Sequence, residues 1–514
     1  MSHRLAGRAS AMVAAVVVGV LAAACTSPPR ATGHSAGHPR GPAVTIERAF
    51  TGDPHWRITH PARLYQLEGF ADHTDVLPGD SFRLFVSTTA PSFVVRAFRM
   101  GWYGGDLARL IWTSRPTRGQ SQPGPKIIQP GSMAVAPWQP SLTVTTTDWP
   151  PGSYLLRLDA STGVQSYVPI VIRSPSVTGR VVLISAVTSY QAYNGWGQYS
   201  LYGGPGGSFA NRGRRVTFDR PLSYSHGAGA YFQLELPLVV FAERLGLPLG
   251  YVTSVDLDMY PGLLGGARAV VSEGHDEYWS PSMRAALTRA RDGGANLAFF
   301  GANAIFRKIR FESSPLGPDR IEVNYKIPQE DPLYGKADAA VTGNWPTWPD
   351  PDPESALIGQ SYVCWVASNF PMVVTDPGNW IWRGSGLRRG QELPGLVGPE
   401  FDQVNPEEPT PHPIEVIART PVSCGAPPTY SDVSYYVARS KAGVFDAGTE
   451  DWICALPGAT CDVRGVTEPA VQRAVQAATA NVLTAFAAGP AGRAHPAHEL
   501  TPSTNGRPPL LGTS

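Results

Sequence analysis

The run "RVVLISA", Arg180 to Ala186, decides the fold. It is almost continuously apolar and β-branched, with no polar residue at alternate positions. A strand of that kind needs apolar cover on both faces, which is the environment of a parallel sheet packed between helices. The chain downstream repeats the pattern. "RRVTFD" (Arg214 to Asp219), "GYVTSVD" (Gly250 to Asp256), "ARAVVSEG" (Ala267 to Gly274), "NLAFFGAN" (Asn296 to Asn303) and "AGVFDAG" (Ala442 to Gly448) read as further strands. Between and after them lie helical periods: Leu234, Leu238, Phe241, Ala242 and Leu245 share one face, as do Val471, Val475, Ala478, Val482 and Phe486. Ser280 reads as an N-cap with Pro281 in the first turn, and Gly293 closes that helix. Strands alternating with helices imply right-handed crossovers and a doubly wound α/β domain over residues 178–490. Residues 310–365 are irregular and rich in Pro and Asp, and read as an excursion from the sheet.

Upstream the period is two. Phe82, Leu84 and Val86 alternate with polar neighbours, as do Tyr154, Leu156 and Leu158, and Val168, Ile170 and Ile172. With turn signals such as "PGD" at Pro78 and "PPGS" at Pro150, residues 45–173 read as an antiparallel, immunoglobulin-like β-sandwich. "SPSVTG", from Ser174, is the boundary. Residues 1–24 read as a signal peptide, because Arg4 and Arg8 precede a run from Ala11 to Ala24 that is too short to span a bilayer. "AAAC" resembles a bacterial lipobox, so Cys25 is the expected lipidation point; the alternative is an ordinary secreted protein. Residues 25–44 are expected to be a flexible tether and residues 491–514 a disordered tail.

The 514 residues carry 42 basic and 41 acidic side chains, a balance that supplies no basic face for nucleic acid. Apart from Cys25 there are four cysteines, and export permits disulfides. The short loop from Cys454 to Cys461 favours that pair, leaving Cys364 with Cys424, although four cysteines allow three connectivities. None of the spacings is Cys-x-x-Cys, which disfavours a zinc site made of all four.

Ligands of open α/β sheets bind beyond the carboxyl ends of the strands. Three unusual segments fall there: the tyrosine-rich "TSYQAYNGWGQYSLYGG" after Ala186, "SEGHDEYWS" (Ser272 to Ser280) and "FFGANAIFR" (Phe299 to Arg307). His275 and Glu277, two apart on a loop, suit a shared pocket, with Asp276 turned away; they would equally serve to cap the following helix. The tyrosines would equally pack against the sandwich, and Asn303 would equally serve as a turn residue in a left-handed conformation. The chain has no Gly-x-Ser-x-Gly, no His-Glu-x-x-His and no phosphate loop, so a metal site is the favoured enzymatic reading.

"YQAYNGWGQYSLY", "VTFDRPL" (Val216 to Leu222), "LVVFAERLGLPLGYVTSVDLD", "GHDEYWS" and "FFGAN", with "RMGWYGG" upstream (Arg99 to Gly105), resemble the large (β) subunit of N,N-dimethylformamidase and its relatives. The resemblance implies a glutamine-amidotransferase-like α/β domain and hydrolysis of an amide C–N bond. It also implies a mononuclear iron held by two tyrosines and a glutamate. Carried over, it makes Glu277 the carboxylate ligand, with Tyr193 and Tyr202 as the phenolates and Tyr190 in reserve for Tyr193; His275 and Asn303 assist. The stretch between the two tyrosine motifs is shorter here than in the family. Phenolate and carboxylate are hard donors and suit Fe(III). The reading is therefore an exported amidohydrolase acting on a small amide-like substrate, membrane-bound by its lipid anchor only, with room for a homo-oligomer or a small partner subunit. The alternative is a non-catalytic envelope lipoprotein that binds carbohydrate or peptide through its aromatic loops.

Overall fold

The structure, a computed structural model, describes residues 47–425, 429–461 and 466–500. The signal segment 1–24, Cys25 and the tether 25–44 lie outside the described residues, as does the part of the expected tail from residue 501. The fold is mixed α/β, with mostly β-sheet and few helices.

The Val181–Ser185 strand lies second from one edge of a seven-stranded sheet. The order is Leu249–Thr253, Val181–Ser185, Ala269–Ser272, Asn296–Phe299, Gly443–Asp446, Thr429–Val437, Ile414–Val422. The first five are parallel and the last two antiparallel. Side chains alternate between two cores. Val181, Leu183, Val271 and Phe445 meet helices Leu236–Leu245 and Pro469–Ala488 on one face. Val182, Ile184, Val270 and Leu297 meet helices Ser254–Met259 and Pro281–Asp292 on the other. Cover on both faces is why the middles of the parallel strands are apolar without alternation.

Ahead of this layer, two antiparallel sheets share a core. One is Leu67–Ala71, Ser81–Thr88 and Leu142–Thr145; the other is built on Ser92–Met100, Gly152–Ala160 and Gln165–Ile172. Phe82, Leu84 and Val86 face Val95, Leu156, Leu158, Val168 and Ile170, as the period of two requires. Cys364–Cys424 and Cys454–Cys461 are both bonded, which points to a location outside the cytoplasm. Among the described residues no helix is long and apolar enough to cross a membrane.

Several expectations need correction. Arg215–Thr217 is not in the main sheet but pairs antiparallel with Gly317–Val323. Only Val216 and Thr217 are buried there and Arg215 reaches outward, so the segment has too little apolar surface for a two-sided strand. The strand at Gly250 ends at Thr253, because Thr253 and Asp256 form a reciprocal capping box and Ser254–Met259 is helix. Leu234 belongs to a separate turn, Tyr231–Leu234, since the next helix restarts at Leu236 with Pro237 in its first turn. The stretch 310–365 contains a hairpin, Arg310–Ser314 with Gly317–Val323. Residues 491–500 are not free: Gly492 N–H donates to Lys441, and Leu500 bridges to Glu415.

One buried acid gives a pH test. Glu354 is 1% exposed, with Oε1 accepting from Tyr362 N–H at 3.0 Å. Burial pushes its carboxyl up to about 7. The unfolded chain releases this proton near its ordinary value, so the folded state loses stability as pH rises from there through about 7. Below that window the group costs nothing; above it the cost reaches roughly 3 kcal/mol. Glu354→Gln should melt a few degrees above the native protein at pH 8, with the gap closing near pH 4.5. Identical pH profiles in thermal melts would refute this.

Candidate functional site

The tyrosine stretch is only partly loop. Val187–Tyr193 is a helix, with its buried small polar residues satisfied: Thr188 Oγ1 donates to Tyr278 O at 3.0 Å, and Ser189 Oγ accepts from Glu277 N–H at 3.0 Å. That second bond ties the helix to the "GHDEYW" segment. The glycines come after the helix, where Leu201 N–H returns to Ala192 O at 2.9 Å. The return brings Tyr202 onto Tyr193, with ring centroids 4.5 Å apart. Nine residues of separation are enough to place the two phenols together.

Four of the expected residues meet at one point. Tyr193 OH donates to Glu277 Oε2 at 2.7 Å and lies 2.8 Å from Tyr202 OH. Tyr202 OH reaches Glu277 Oε1 and Oε2 at 3.1 and 3.0 Å. His275 Nε2 lies 3.2 Å from Tyr193 OH and 3.3 Å from Glu277 Oε2. Asn303 is one step back. Its backbone is left-handed at φ 57°, its N–H binds the Asp402 carboxylate, and its side-chain amide donates to Glu400 Oε2 at 2.7 Å. It is therefore both a turn residue and part of the site. Tyr190, the reserve, is 2% exposed and packs in the core with Tyr167, Tyr231 and Leu236, so it is not part of the cluster. Neither His275 nor Glu277 caps the next helix; Ser280 does.

Further residues had no sequence argument. The short strand Tyr278–Trp279 pairs with Arg307–Lys308, which sets Arg307 Nε 3.0 Å from Glu277 Oε1. Lys326 Nζ donates to Tyr278 OH at 2.7 Å, Tyr278 OH donates to Tyr202 OH at 2.8 Å, and Nζ, whose pKa burial pushes well down, sits 3.5 Å from the Tyr202 ring centre. Glu400 Oε2 lies 3.3 Å from Nδ1, the other ring nitrogen of His275, and ligand atoms of His275, Glu400 and Glu450 lie within 4.8 Å of one another. Arg220, inside the quoted "VTFDRPL", donates to carbonyls of Asn194 and Tyr199 at 2.9 and 2.8 Å, and to those of Gln191 and Trp196. It thereby gathers the segment that carries both tyrosines.

The electrostatics follow from this arrangement. Burial pushes the Glu277 carboxyl up, but the His275 hydrogen bond and the charges of Arg307 and Lys326 outweigh it and hold Glu277 well below the usual carboxylate range. Burial pushes His275 down, whereas Glu400, the bond to Glu277 and the nearby Glu450 raise it to about 10. Burial and the neighbouring Glu277 push both phenols up. Glu400 is lifted to about 7, chiefly by burial. Three hard oxygen donors thus converge beside an imidazole, and protons shared among them occupy a position that suits a cation.

The family model described as "N,N-dimethylformamidase beta subunit-like, C-terminal" matches residues 94–464, which include every residue of the site. None of the curated proteins matches the chain. Among solved structures, a Paenibacillus cycloisomaltooligosaccharide glucanotransferase complexed with cycloisomaltoheptaose is 14% identical, covers 23% of this chain and 15% of its own, and has a TM-score of 0.14. An uncharacterized protein from Bacillus anthracis is 14% identical over 20% of this chain and 77% of its own, with a TM-score of 0.13. The family match extends over well more than half of the chain, and the chain belongs to the N,N-dimethylformamidase beta subunit-like family.

Proposed function

We propose that the protein is an exported metallohydrolase that cleaves the C–N bond of an amide-like substrate, with ferric iron held by Tyr193, Tyr202 and Glu277. The observation that carries this reading is the spacing of those oxygens, 2.7 to 3.1 Å from one another. Iron bound there supplies Lewis acidity toward a carbonyl and toward water. The chain's own groups do the rest. Arg307 keeps Glu277 ionised and oriented. His275 holds a proton at Nε2, facing the cluster, and Glu400, near 7, can exchange one with it. In the hydrolysis, water oxygen bonds to the carbonyl carbon and its proton passes to Glu400. The C–N bond then breaks, and the amine nitrogen leaves with a proton from His275.

The alternative of an aromatic binding surface has less support: Tyr190 and Trp196 are 2% and 1% exposed, and Tyr193, at 39%, turns its hydroxyl onto Glu277. In this reading the first two sheets form an immunoglobulin-like sandwich and the seven-stranded layer an amidotransferase-like domain. Cys25 is the lipid attachment, 25–44 the tether, and a homo-oligomer or small partner subunit remains part of the proposal. Purified, iron-reconstituted protein should hold about one iron, show a visible phenolate-to-iron band, and release amine from formamides or larger amides. Tyr193→Phe and Tyr202→Phe should each bleach the band. A protein with no stoichiometric metal and no amide hydrolysis would end this reading.

A further inference from the structure

His275 presents two nitrogens, and only Nε2 faces the tyrosine cluster. Nδ1 points the other way. It lies 3.3 Å from Glu400 Oε2, close enough to bond, yet the two are not aligned as donor and acceptor, and Nδ1 has no hydrogen-bond partner among the described residues. His275 is 6% exposed, so water does not readily satisfy that atom either. Two polar atoms that lie together without aiming at each other are arranged like ligands aiming at a third point. Nitrogen and oxygen donors at about 2.0–2.2 Å from a tetrahedral ion stand roughly 3.4 Å apart. Glu450, at the head of the helical turn Glu450–Ala455, brings a carboxylate oxygen within 4.8 Å of a ring nitrogen of His275 and of a Glu400 oxygen.

The surroundings resemble a ligand set with its outer support. Asn303 donates to Glu400 at 2.7 Å and is itself anchored through its N–H to Asp402 at 2.8 Å, which fixes the carboxylate as second-row hydrogen bonds fix metal ligands. Glu277 is already paired with Arg307, whereas Glu400 and Glu450 share the one imidazole of this cluster. We propose that His275 Nδ1, Glu400 and Glu450 form a second cation site, back to back with the tyrosine cluster, for a divalent first-row ion such as zinc or manganese. One imidazole with two carboxylates suits such an ion better than calcium, which takes all-oxygen shells. Occupancy at Nδ1 fixes the tautomer, leaving hydrogen on Nε2 toward Glu277 and Tyr193, and engages Glu400, so the zinc-loaded form lacks the proton exchange that the hydrolysis proposed above draws on. The site stands on its own ligands and does not depend on iron at the tyrosines.

The test uses the full chain, stripped with chelator and titrated with zinc alone, with metal content read after desalting and the melting temperature followed in parallel. The native protein and the Tyr193→Phe/Tyr202→Phe double variant should each retain one zinc and melt higher with zinc present. Glu450→Gln should bind at least tenfold more weakly and lose the zinc-dependent rise; Glu400→Gln repeats the measurement should Glu450→Gln fold poorly. Retention of zinc by both glutamine variants at native affinity overturns the proposal. So does a native protein that retains none, or one whose single zinc is lost in the tyrosine double variant. The visible iron band reports the tyrosine site separately, so failure of either site is read without the other.

Discussion

Glu277→Gln should lose stoichiometric iron and at least about a hundredfold in amide hydrolysis, because it removes the one group that both phenols, His275 and Arg307 address. Outer-shell partners of metal ligands are worth roughly 10- to 100-fold, and a ligand itself should exceed that. The change also has a signature independent of iron. Glu277 is held below its ordinary value in the folded state, so its contribution to stability is present above that ordinary value and fades as pH falls toward the folded one. The glutamine variant should therefore lose the most stability near neutral pH and converge on the native protein in acid. Native iron content and hydrolysis in the variant would remove Glu277 from the site.

Arg220→Met should be the most destabilising change near the site, by roughly 3–5 kcal/mol, since it leaves several buried carbonyls without their donor. Arg220 is 1% exposed and lacks a direct carboxylate contact among the described residues; burial pushes it down to about 9, which still leaves it charged at neutral pH. Its fork spans the carbonyls of Gln191, Asn194, Trp196 and Tyr199, on either side of Tyr193. Lysine cannot reproduce a planar fork, so Arg220→Lys should also lower the melting temperature and weaken iron binding. A lysine variant matching the native protein in both would show that the segment is held by other means.

Much of this architecture was legible. Val181–Ser185, Ala269–Ser272 and Asn296–Phe299 are buried on both faces and declare it in unbroken apolar runs; Ser280 and Pro281 announce their helix by capping chemistry. The antiparallel edge, Thr429–Val437 and Ile414–Val422, was not, because its strands carry polar residues such as Arg419 and Asp432 that become acceptable only once paired with each other. The same holds at the site. His275, Glu277 and the tyrosines lie in compact motifs, whereas Glu400 and Lys326 arrive from strands and turns tens of residues away. Arg307 and Arg220 stood inside quoted motifs, but their roles are set by what they touch across the fold.

The two sides of the site are unlike in covalent wiring. Tyr193, Tyr202 and Glu277 sit on segments without cysteine, while Glu450 shares its helical turn with Cys454, bonded to Cys461. Glu400 pairs in register with Trp365, the neighbour of Cys364, which is bonded to Cys424. The carboxylates facing His275 are thus stapled and the phenols are not. Reduction should therefore loosen the Glu400 and Glu450 side of the site while leaving the tyrosine side in place. The disulfides then act as a clamp on one half of the site as well as a source of stability.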